Sequence, residues 1–247
     1  ENIHFLKRFQ DGQAVDQLLS TDGINNVAVI GAGYIGVEIA EAAKRRGKNV
    51  LLFDAMTRSL PSYYDKWFTD DMDAVLKEHE IELHFGELAA EYKGDGKVEA
   101  IVTDKGEYKV DLVINAIGFL PNNELGKEHL ELFKNGAYLV DRHQQTSDPD
   151  VYAVGDCATI YSNALQATTY IALATNAVRS GIVAGYNVGG VGLESTGVQG
   201  SNGISIFKKS FLRITQDIMN QSCWWWEGEG SGNLYFSEAS LGSIMTE

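Results

Sequence analysis

The stretch VAVIGAGYIGVEIAEAAKRRGKNVLLFDA, residues 27–55, decides the fold. Residues 27–30 are a short run of Val, Ala and Ile, which is typical of a buried parallel strand. Gly31, Gly33 and Gly36 follow in the spacing G-x-G-x-x-G, and an apolar helical pattern then ends in a run of basic residues, which suit the C-terminal end of a helix. The pattern therefore predicts a strand, a tight turn and a helix in direct succession.

Each glycine has a physical role in this spacing. Gly31 permits the tight turn, Gly33 lets a pyrophosphate approach the backbone, and Gly36 lets the helix pack against the strand. A second apolar run ends at Asp54, about 20 residues past the glycines, where a carboxylate can accept hydrogen bonds from the ribose of an adenosine. The alternative is a glycine-rich turn that only packs strand against helix, and the acid argues against it. We predict a dinucleotide site.

The acid also predicts which dinucleotide binds. NADP carries a phosphate where Asp54 would sit, and the two negative charges would repel each other. Arg58 is a nearby candidate partner for such a phosphate, although a solvent-exposed side chain is the simpler interpretation. We therefore expect NAD(H) rather than NADP(H).

Composition and charge limit the function. The chain has 247 residues, enough for one large or two modest domains, and its net charge of −14 argues against nucleic acid or an anionic membrane surface as a partner. No apolar run approaches the roughly 20 residues that span a bilayer, and no secretory signal stands at the start. Two distant cysteines make no disulfide framework. We expect a reduced, cytoplasmic protein with no membrane or nucleic-acid partner.

The remaining pattern predicts more strands and helices of the same α/β class. A turn-rich region with three short apolar runs reads as a small antiparallel meander. Gly118 follows the last strand of this part, at the edge of the sheet where a ligand crevice is expected, although a purely structural glycine is the simpler interpretation. The predicted ranges are a helix over 65–79, strands over 81–85 and 112–117, and a meander over 88–92, 98–103 and 107–110.

A second candidate site lies in TSDPDVYAVGDCATI, residues 146–160. Residues 151–154 read as a buried strand, and Asp156 follows it, so its carboxylate could accept a hydrogen bond from a ligand hydroxyl or cap a following turn. Residues 170–181 read as a helix whose N-terminus could face an electronegative ligand atom. Cys157 has no neighbouring redox partner, and the five histidines lack the spacing of metal ligands, so we expect no metal.

Five motifs together resemble a known family. In chain order they are VAVIGAGYIGVEIAEA, VINAIGFLPN, TSDPDVYAVGDCATI, TYIALATNA and GVQGSNGISIF. They are similar to the flavin-dependent pyridine-nucleotide disulfide oxidoreductases, and within these to the branch of water-forming NADH oxidases and NADH peroxidases. The resemblance covers residues 1–207 and implies NAD and FAD as cofactors. It also implies a doubly wound, Rossmann-like NAD-binding domain inside a split FAD-binding fold that is incomplete here.

The resemblance assigns one set of residues to NAD. The turn would wrap the pyrophosphate, the acid would hold the adenosine ribose, an aromatic side chain would line the site, and a glycine would contact the cofactor from the far strand. These residues are Gly31, Gly33, Ile35 and Gly36 for the turn, Asp54 for the acid, Tyr63 for the aromatic position and Gly118 for the last glycine.

A second set is assigned to FAD and to the nicotinamide. Asp156 would bind the ribityl chain of FAD, and Ala172 would touch the nicotinamide. Leu173, Ala174 and Thr175 would lie at the flavin ring.

The resemblance also implies a division into domains. The chain opens with Glu1, and the segment with the first FAD motif and the redox cysteine of the family has no counterpart in it, so we interpret it as a fragment without a catalytic residue of its own. The tail lacks family resemblance and is interpreted as mistranslated, fused or disordered. The predicted divisions are 1–20, a linker; 21–145, the NAD-binding domain; 146–190, the returning part of the FAD-binding domain; 191–207, the start of an interface domain; and 208–247, the divergent tail.

Two classes of function follow. The intact parent would be an NADH oxidase that transfers hydride from NADH to FAD and on to dioxygen. Its sister interpretations are an NADH peroxidase, with peroxide as the acceptor, or a coenzyme A-disulfide reductase. The second class is a non-catalytic NAD-binding fragment, and we expect the chain alone to be inactive. A homodimer is expected only where the interface domain is present.

Overall fold

The computed structural model describes residues 1–215, 221–227 and 234–236, with side chains described through Leu212. The chain divides into two units. The main segments of the first unit are Glu1–Gly118 and Gly203–Arg213, and the main segment of the second is Phe119–Asn202.

The first unit is a parallel sheet with helices and a meander. Its elements in chain order are β1 (Ile3–Phe5), α1 (Phe9–Leu19), β2 (Asn26–Ile30), α2 (Tyr34–Arg45), β3 (Asn49–Asp54), α3 (Lys66–Glu78), β4 (Ile81–Phe85), β5 (Ala89–Lys93), β6 (Ala100–Thr103), β7 (Glu107–Lys109) and β8 (Leu112–Asn115). Five strands form the sheet in the order β1-β8-β2-β3-β4, and every pairing is parallel. The Rossmann-like α/β fold expected from the sequence is confirmed.

Alternate residues of β2 face opposite sides of this sheet. Val27 and Val29 pack in one hydrophobic cluster with residues of α1, α2 and α3, whereas Ala28 and Ile30 pack in another with residues of the meander β5–β7. None of the four side chains is more than 8% exposed. Helices thus cover one face and the antiparallel meander covers the other, which explains why the strand reads as continuously apolar.

The predicted elements of this unit are confirmed with small shifts at their ends. The helix expected over 65–79 is α3, the strand expected over 81–85 is β4, and the three runs of the meander pair antiparallel as β5-β6-β7. Helix α2 ends at Arg45, and Gly47 takes a φ of +75° just beyond it, as a glycine that terminates a helix does.

The second unit has fewer regular elements. They are a 3₁₀ turn (Gly155–Cys157), the antiparallel pair β9 (Ile160–Ser162) and β10 (Ala167–Thr169), and α4 (Ala174–Val188). The strand predicted over 151–154 is wrong, because Tyr152 forms only an isolated bridge with Gln145 and the flanking Val151 and Val154 are exposed. No neighbouring strand among the described residues covers this segment.

The helix predicted over 170–181 starts later and extends further than the pattern indicates. Leu173 has extended backbone, with a φ of −137°, so α4 begins at Ala174. The helix runs to Val188, and Gly190 then takes a φ of +82°. The motif TYIALATNA therefore straddles a loop and a helix rather than forming one helix.

The C-terminal strands are β11 (Ser201–Ile206), β12 (Lys209–Thr215), β13 (Gln221–Glu227) and β14 (Leu234–Phe236), in that order in one sheet. Ile204, Ile206 and Phe211 join the hydrophobic cluster on the helical face of the first unit. The sequence analysis interprets 208–247 as a mistranslated, fused or disordered tail. Of this range, 216–220, 228–233 and 237–247 lie outside the described residues. The domain boundaries drawn from the sequence stay a prediction. None of the helices in the described ranges has the length and apolar composition that a membrane crossing requires.

We expect Gly31→Ala to lower the free energy of unfolding by about 1–3 kcal/mol. Gly31 has a φ of +102°, and a Cβ there would lie 2.6 Å from the carbonyl oxygen of Ala116. Chemical denaturation followed by circular dichroism measures the change. Gly12→Ala in α1 is the control, since a Cβ there meets no atom within 4 Å; alanine in a helix should stabilise by up to about 1 kcal/mol. A Gly31→Ala protein as stable as the wild type would contradict the strain.

Candidate functional site

The glycine-rich turn is built from three backbone segments. The N–H of Gly31 donates to the carbonyl of Phe53, at 2.7 Å, and so joins the turn to the end of β3. The N–H of Ala116 donates to the carbonyl of Ile30, at 2.7 Å, and so brings the chain after β8 against the same point. The absence of a Cβ at Gly31 is what allows this approach.

Gly33 and Gly36 lack a Cβ for different reasons. A Cβ on Gly36 would collide with the carbonyl oxygen of Gly31, so this glycine has the packing role that the spacing predicts. Gly33 has a φ of −77°, which any residue adopts, and a Cβ there would meet no atom within 4 Å. The fold itself does not require glycine at this position, and the open space lies directly at the start of α2.

The start of α2 leaves several donors without partners. The first helical hydrogen bond in this turn runs from the N–H of Val37 to the carbonyl of Gly33, at 3.0 Å. Within the described part of the chain, the N–H groups of Gly33, Ile35 and Gly36 find no acceptor. The aligned peptide dipoles also place partial positive charge at this end of a helix. Free N–H groups and positive potential together make a site for a phosphate oxygen.

The side chain of Asp54 holds the backbone of the glycine-rich turn in place. Its Oδ2 accepts from the N–H of Ala32, at 2.6 Å, and its Oδ1 accepts from the N–H of Met56, at 2.7 Å. A carboxylate offers about four lone-pair sites, so two backbone bonds leave room for a ligand hydroxyl. Sequence reasoning gave Asp54 only a ligand role and missed this structural one.

Aromatic side chains stand beside the start of α2. Tyr63 packs edge-on against Tyr34, with ring centroids 4.7 Å apart, and is 40% exposed. Tyr34 is the first residue of α2, and its hydroxyl donates to the hydroxyl of Tyr64, at 3.0 Å. The structure thus brings Tyr63 to the glycine-rich turn through Tyr34, which the sequence analysis did not single out although it stands inside the glycine motif.

Gly118 lies three residues beyond the end of β8. It has a φ of +92°, and a Cβ there would meet no atom within 4 Å. The two residues before it carry the backbone that abuts Gly31, since a Cβ on Gly31 would lie 3.2 Å from the nitrogen of Ile117. The position agrees with a place at the rim of the turn, and contact with a cofactor stays a prediction.

Helix α2 itself carries two acidic side chains, Glu38 and Glu41. Glu38 lies one turn into the helix, and desolvation followed by repulsion from Glu41 raises the pKa of its carboxyl. Glu41 is buried and holds Arg45 in an ion pair at 2.6 Å.

The second candidate site lies in the second unit. Asp156 is exposed in the 3₁₀ turn, and its carboxylate accepts no hydrogen bond from the residues that the structure describes. Its alternative role as a cap is therefore not observed, and Leu173 is the residue that precedes α4. Asp156 and Leu173 line one small crevice together with Asn176.

The residues assigned to the flavin ring divide between a loop and a helix. Ala172 and Leu173 are half-buried just before α4, and Ala174 and Thr175 are exposed in its first turn. The hydroxyl of Tyr170 donates to the backbone carbonyl of Asp156, at 2.8 Å, and so ties this loop to the 3₁₀ turn. Burial, and then electrostatic repulsion from Asp156 and the neighbouring Cys157, raise the pKa of Tyr170.

Comparison with known proteins identifies a family. The model of the pyridine nucleotide-disulphide oxidoreductases matches residues 1–181. An NADH oxidase of Lactococcus lactis subsp. cremoris is 67% identical over 209 residues, which are 84% of this chain and 47% of that protein. The structure of a water-forming NADH oxidase from Lactobacillus brevis, bound to NADH, matches 88% of this chain and 48% of its own, with a TM-score of 0.82 and 35% identity. The chain spans about half the length of these relatives.

A second solved structure is an engineered water-forming NADPH oxidase bound to NADPH. It covers 91% of this chain and 55% of its own, with a TM-score of 0.82 and 28% identity. It is a variant of the Lactobacillus brevis enzyme with five substitutions, which in chain order are Gly→Ala, Asp→Ala, Ala→Arg, Met→Ser and Pro→Arg.

We expect Asp54→Ala to lower the free energy of unfolding by about 1–3 kcal/mol in the absence of any ligand. The change leaves the N–H of buried Ala32 without its acceptor. Asp54→Asn keeps one acceptor oxygen and should cost less, and Thr57→Ala, at an exposed neighbouring position, should stay within about 0.5 kcal/mol of the wild type. Urea denaturation compares the three variants. Equal stability of Asp54→Ala and Thr57→Ala would contradict the structural role.

Proposed function

This chain belongs to the pyridine nucleotide-disulphide oxidoreductase family, and on that premise we propose that its glycine-rich turn binds NADH. We propose further that the intact protein is an NADH oxidase that passes hydride from NADH to FAD and electrons on to dioxygen. The names of the relatives, NADH oxidase and water-forming NADH oxidase, support this activity over the peroxidase and the disulfide reductase.

The observation that carries the proposal is the open space at Gly33. A Cβ there would meet no atom within 4 Å, so the space beside this backbone is open to a ligand. The N–H groups of Gly33, Ile35 and Gly36 donate to no acceptor among the described residues. A pyrophosphate in this space would accept from these donors and would also meet the positive end of α2. Room, donors and charge thus agree on one kind of ligand.

Asp54 sets the preference for NADH. Beside its bonds to Ala32 and Met56, its carboxylate can accept from a hydroxyl of the adenosine ribose. A 2′-phosphate at the same place would bring two negative charges together. The five residue types replaced in the engineered NADPH oxidase occur here at the same spacing, as Gly36, Asp54, Ala55, Met56 and Pro61. The replacement of the acid and the gain of arginine in that protein support the role of Asp54.

The residues of the second unit fit the proposed contacts to FAD. Asp156 presents an exposed carboxylate that accepts no hydrogen bond from the described residues, so it is open to a ribityl hydroxyl. Ala172, Leu173, Ala174 and Thr175 offer small or apolar surface at the start of α4, which an aromatic ring system can approach. FAD, when bound, supplies the redox chemistry, and these residues bind and orient it.

We expect Gly33→Ala to abolish saturable NADH binding by the purified chain while leaving its stability close to that of the wild type. The methyl group enters open space, so it strains nothing in the fold, but it occupies the place of the pyrophosphate. Titration followed by NADH fluorescence measures binding, and thermal melting followed by circular dichroism measures stability. Gly12→Ala, which also adds a methyl group in open space but far from the turn, should bind NADH normally. Unchanged NADH affinity of Gly33→Ala would contradict the proposal.

The pair Asp54→Ala and Ala55→Arg should reverse the preference between NADH and NADPH. The arginine gains a charge-assisted bond to the 2′-phosphate, which at about 1.5–3 kcal/mol corresponds to a roughly 10- to 150-fold gain in affinity. Dissociation constants for both dinucleotides test it in parallel. Asp54→Ala alone is the matched control and should lose NADH affinity without the full gain for NADPH. A double variant that still prefers NADH would show that Asp54 is not the selective group.

A further inference from the structure

A buried carboxylate lies next to the strand end that carries Asp54. Glu87, two residues after β4, is only 4% exposed. Its Oε1 accepts from the hydroxyl of Thr103, at 2.6 Å, and its Oε2 lies 3.2 Å from Nδ1 of His84. The hydroxyl of Tyr108 also lowers the pKa of this carboxyl. These four residues, Glu87, His84, Thr103 and Tyr108, are called the Glu87 cluster below.

The carboxyl of Glu87 is ionised at neutral pH. Burial opposes the charge and would raise its pKa, but the stabilising effects of Thr103, Tyr108 and His84 outweigh it, so the pKa is lowered from its ordinary value of 4.5. A buried charge is tolerated only where donors replace the lost water. The cluster is therefore a fixed point that joins the end of β4 to the β6–β7 hairpin.

The backbone at Gly86 and Glu87 holds Asp54 and the residue two positions after it. The N–H of Glu87 donates to the carbonyl of Asp54, at 3.0 Å, and the N–H of Gly86 donates to the carbonyl of Met56, at 2.8 Å. Met56 is also the residue whose N–H holds Oδ1 of Asp54. The position of the Asp54 carboxylate therefore depends on where the segment 86–87 is held.

The rings of the cluster hold the same strand end through its preceding residue. His84 stacks on Phe53, with centroids 4.5 Å apart, and Tyr108 packs edge-on against both rings, at 4.6 Å from His84 and 5.3 Å from Phe53. Phe53 is fully buried. The strand end at Asp54 is thus held in two ways, by the backbone hydrogen bonds of Gly86 and Glu87 and by the rings packed on Phe53.

We propose that Glu87 is a positioning residue for NADH, which holds Asp54 in place to receive the adenosine ribose without touching the ligand itself. The proposal rests on the proposed binding of NADH at the glycine-rich turn. Glu87 is too deeply buried to meet a ligand, so any effect on binding passes through the residues it holds. The loss of its charge should loosen the segment 86–87 and with it the carboxylate of Asp54.

A double-mutant cycle on the full chain tests the coupling. Glu87→Gln has nearly the same shape and removes the charge, and Asp54→Ala removes the group through which Glu87 is proposed to act. We expect Glu87→Gln to weaken NADH binding by about tenfold in the wild-type background and to have no further effect in the Asp54→Ala background. Glu107→Gln is the control, since that carboxylate lies exposed on the same meander and pairs with Lys93, and it should leave the affinity unchanged.

A second variant keeps the test decisive if Glu87→Gln does not fold. Thr103→Val keeps the β-branched shape and removes the hydroxyl that donates to Oε1 of Glu87, so it should weaken NADH binding in the same background-dependent way, by a smaller factor. Equal losses with and without Asp54 would overturn the proposal, as would unchanged affinity in both variants. Failure of the wild-type chain to bind NADH would instead contradict the proposed function. NADH binding by the wild-type chain is therefore measured before the variants are compared.

Discussion

The close approach of three backbone segments at Gly31 is the constraint on which the rest of the first unit depends. Strand β2 ends there, the end of β3 accepts its N–H, and the chain after β8 passes so close that a Cβ would lie 2.6 Å from the carbonyl oxygen of Ala116. A side chain at this point would push the segments apart. Because they stay together, α2 can start directly after the turn, with the open space at Gly33 beside its first residues.

Asp54 connects this constraint to the ligand. The same carboxylate that ties Ala32 to Met56 is the group proposed to accept from the ribose, so the stability of the turn and the affinity for NADH are coupled in one side chain. The Glu87 cluster extends that coupling one layer deeper, because the N–H groups of Gly86 and Glu87 hold the carbonyls of Met56 and Asp54.

The sequence predicted the parts of the fold that depend on local pattern. The strand, turn and helix around Gly31 and the strand that ends at Asp54 follow from glycine spacing and apolar runs, and the structure has them where they were expected. The strand over 151–154 was wrong because an apolar run indicates burial only when neighbouring strands cover it. The late start of α4 was missed because leucine, which stands at position 173, is not a residue type that marks the start of a helix. Glu87 was missed because its partners Thr103 and Tyr108 are distant in sequence, and only the paired meander brings them together.

Amide nuclear magnetic resonance of the isotope-labelled chain tests whether the N–H groups at the start of α2 receive the pyrophosphate of NADH. The amide signals of Gly33, Ile35 and Gly36 should move saturably as NADH is added, while that of Gly12 should stay in place. Saturable NADH binding that leaves those three signals unmoved would contradict the account, because the ligand would then occupy some other part of the molecule.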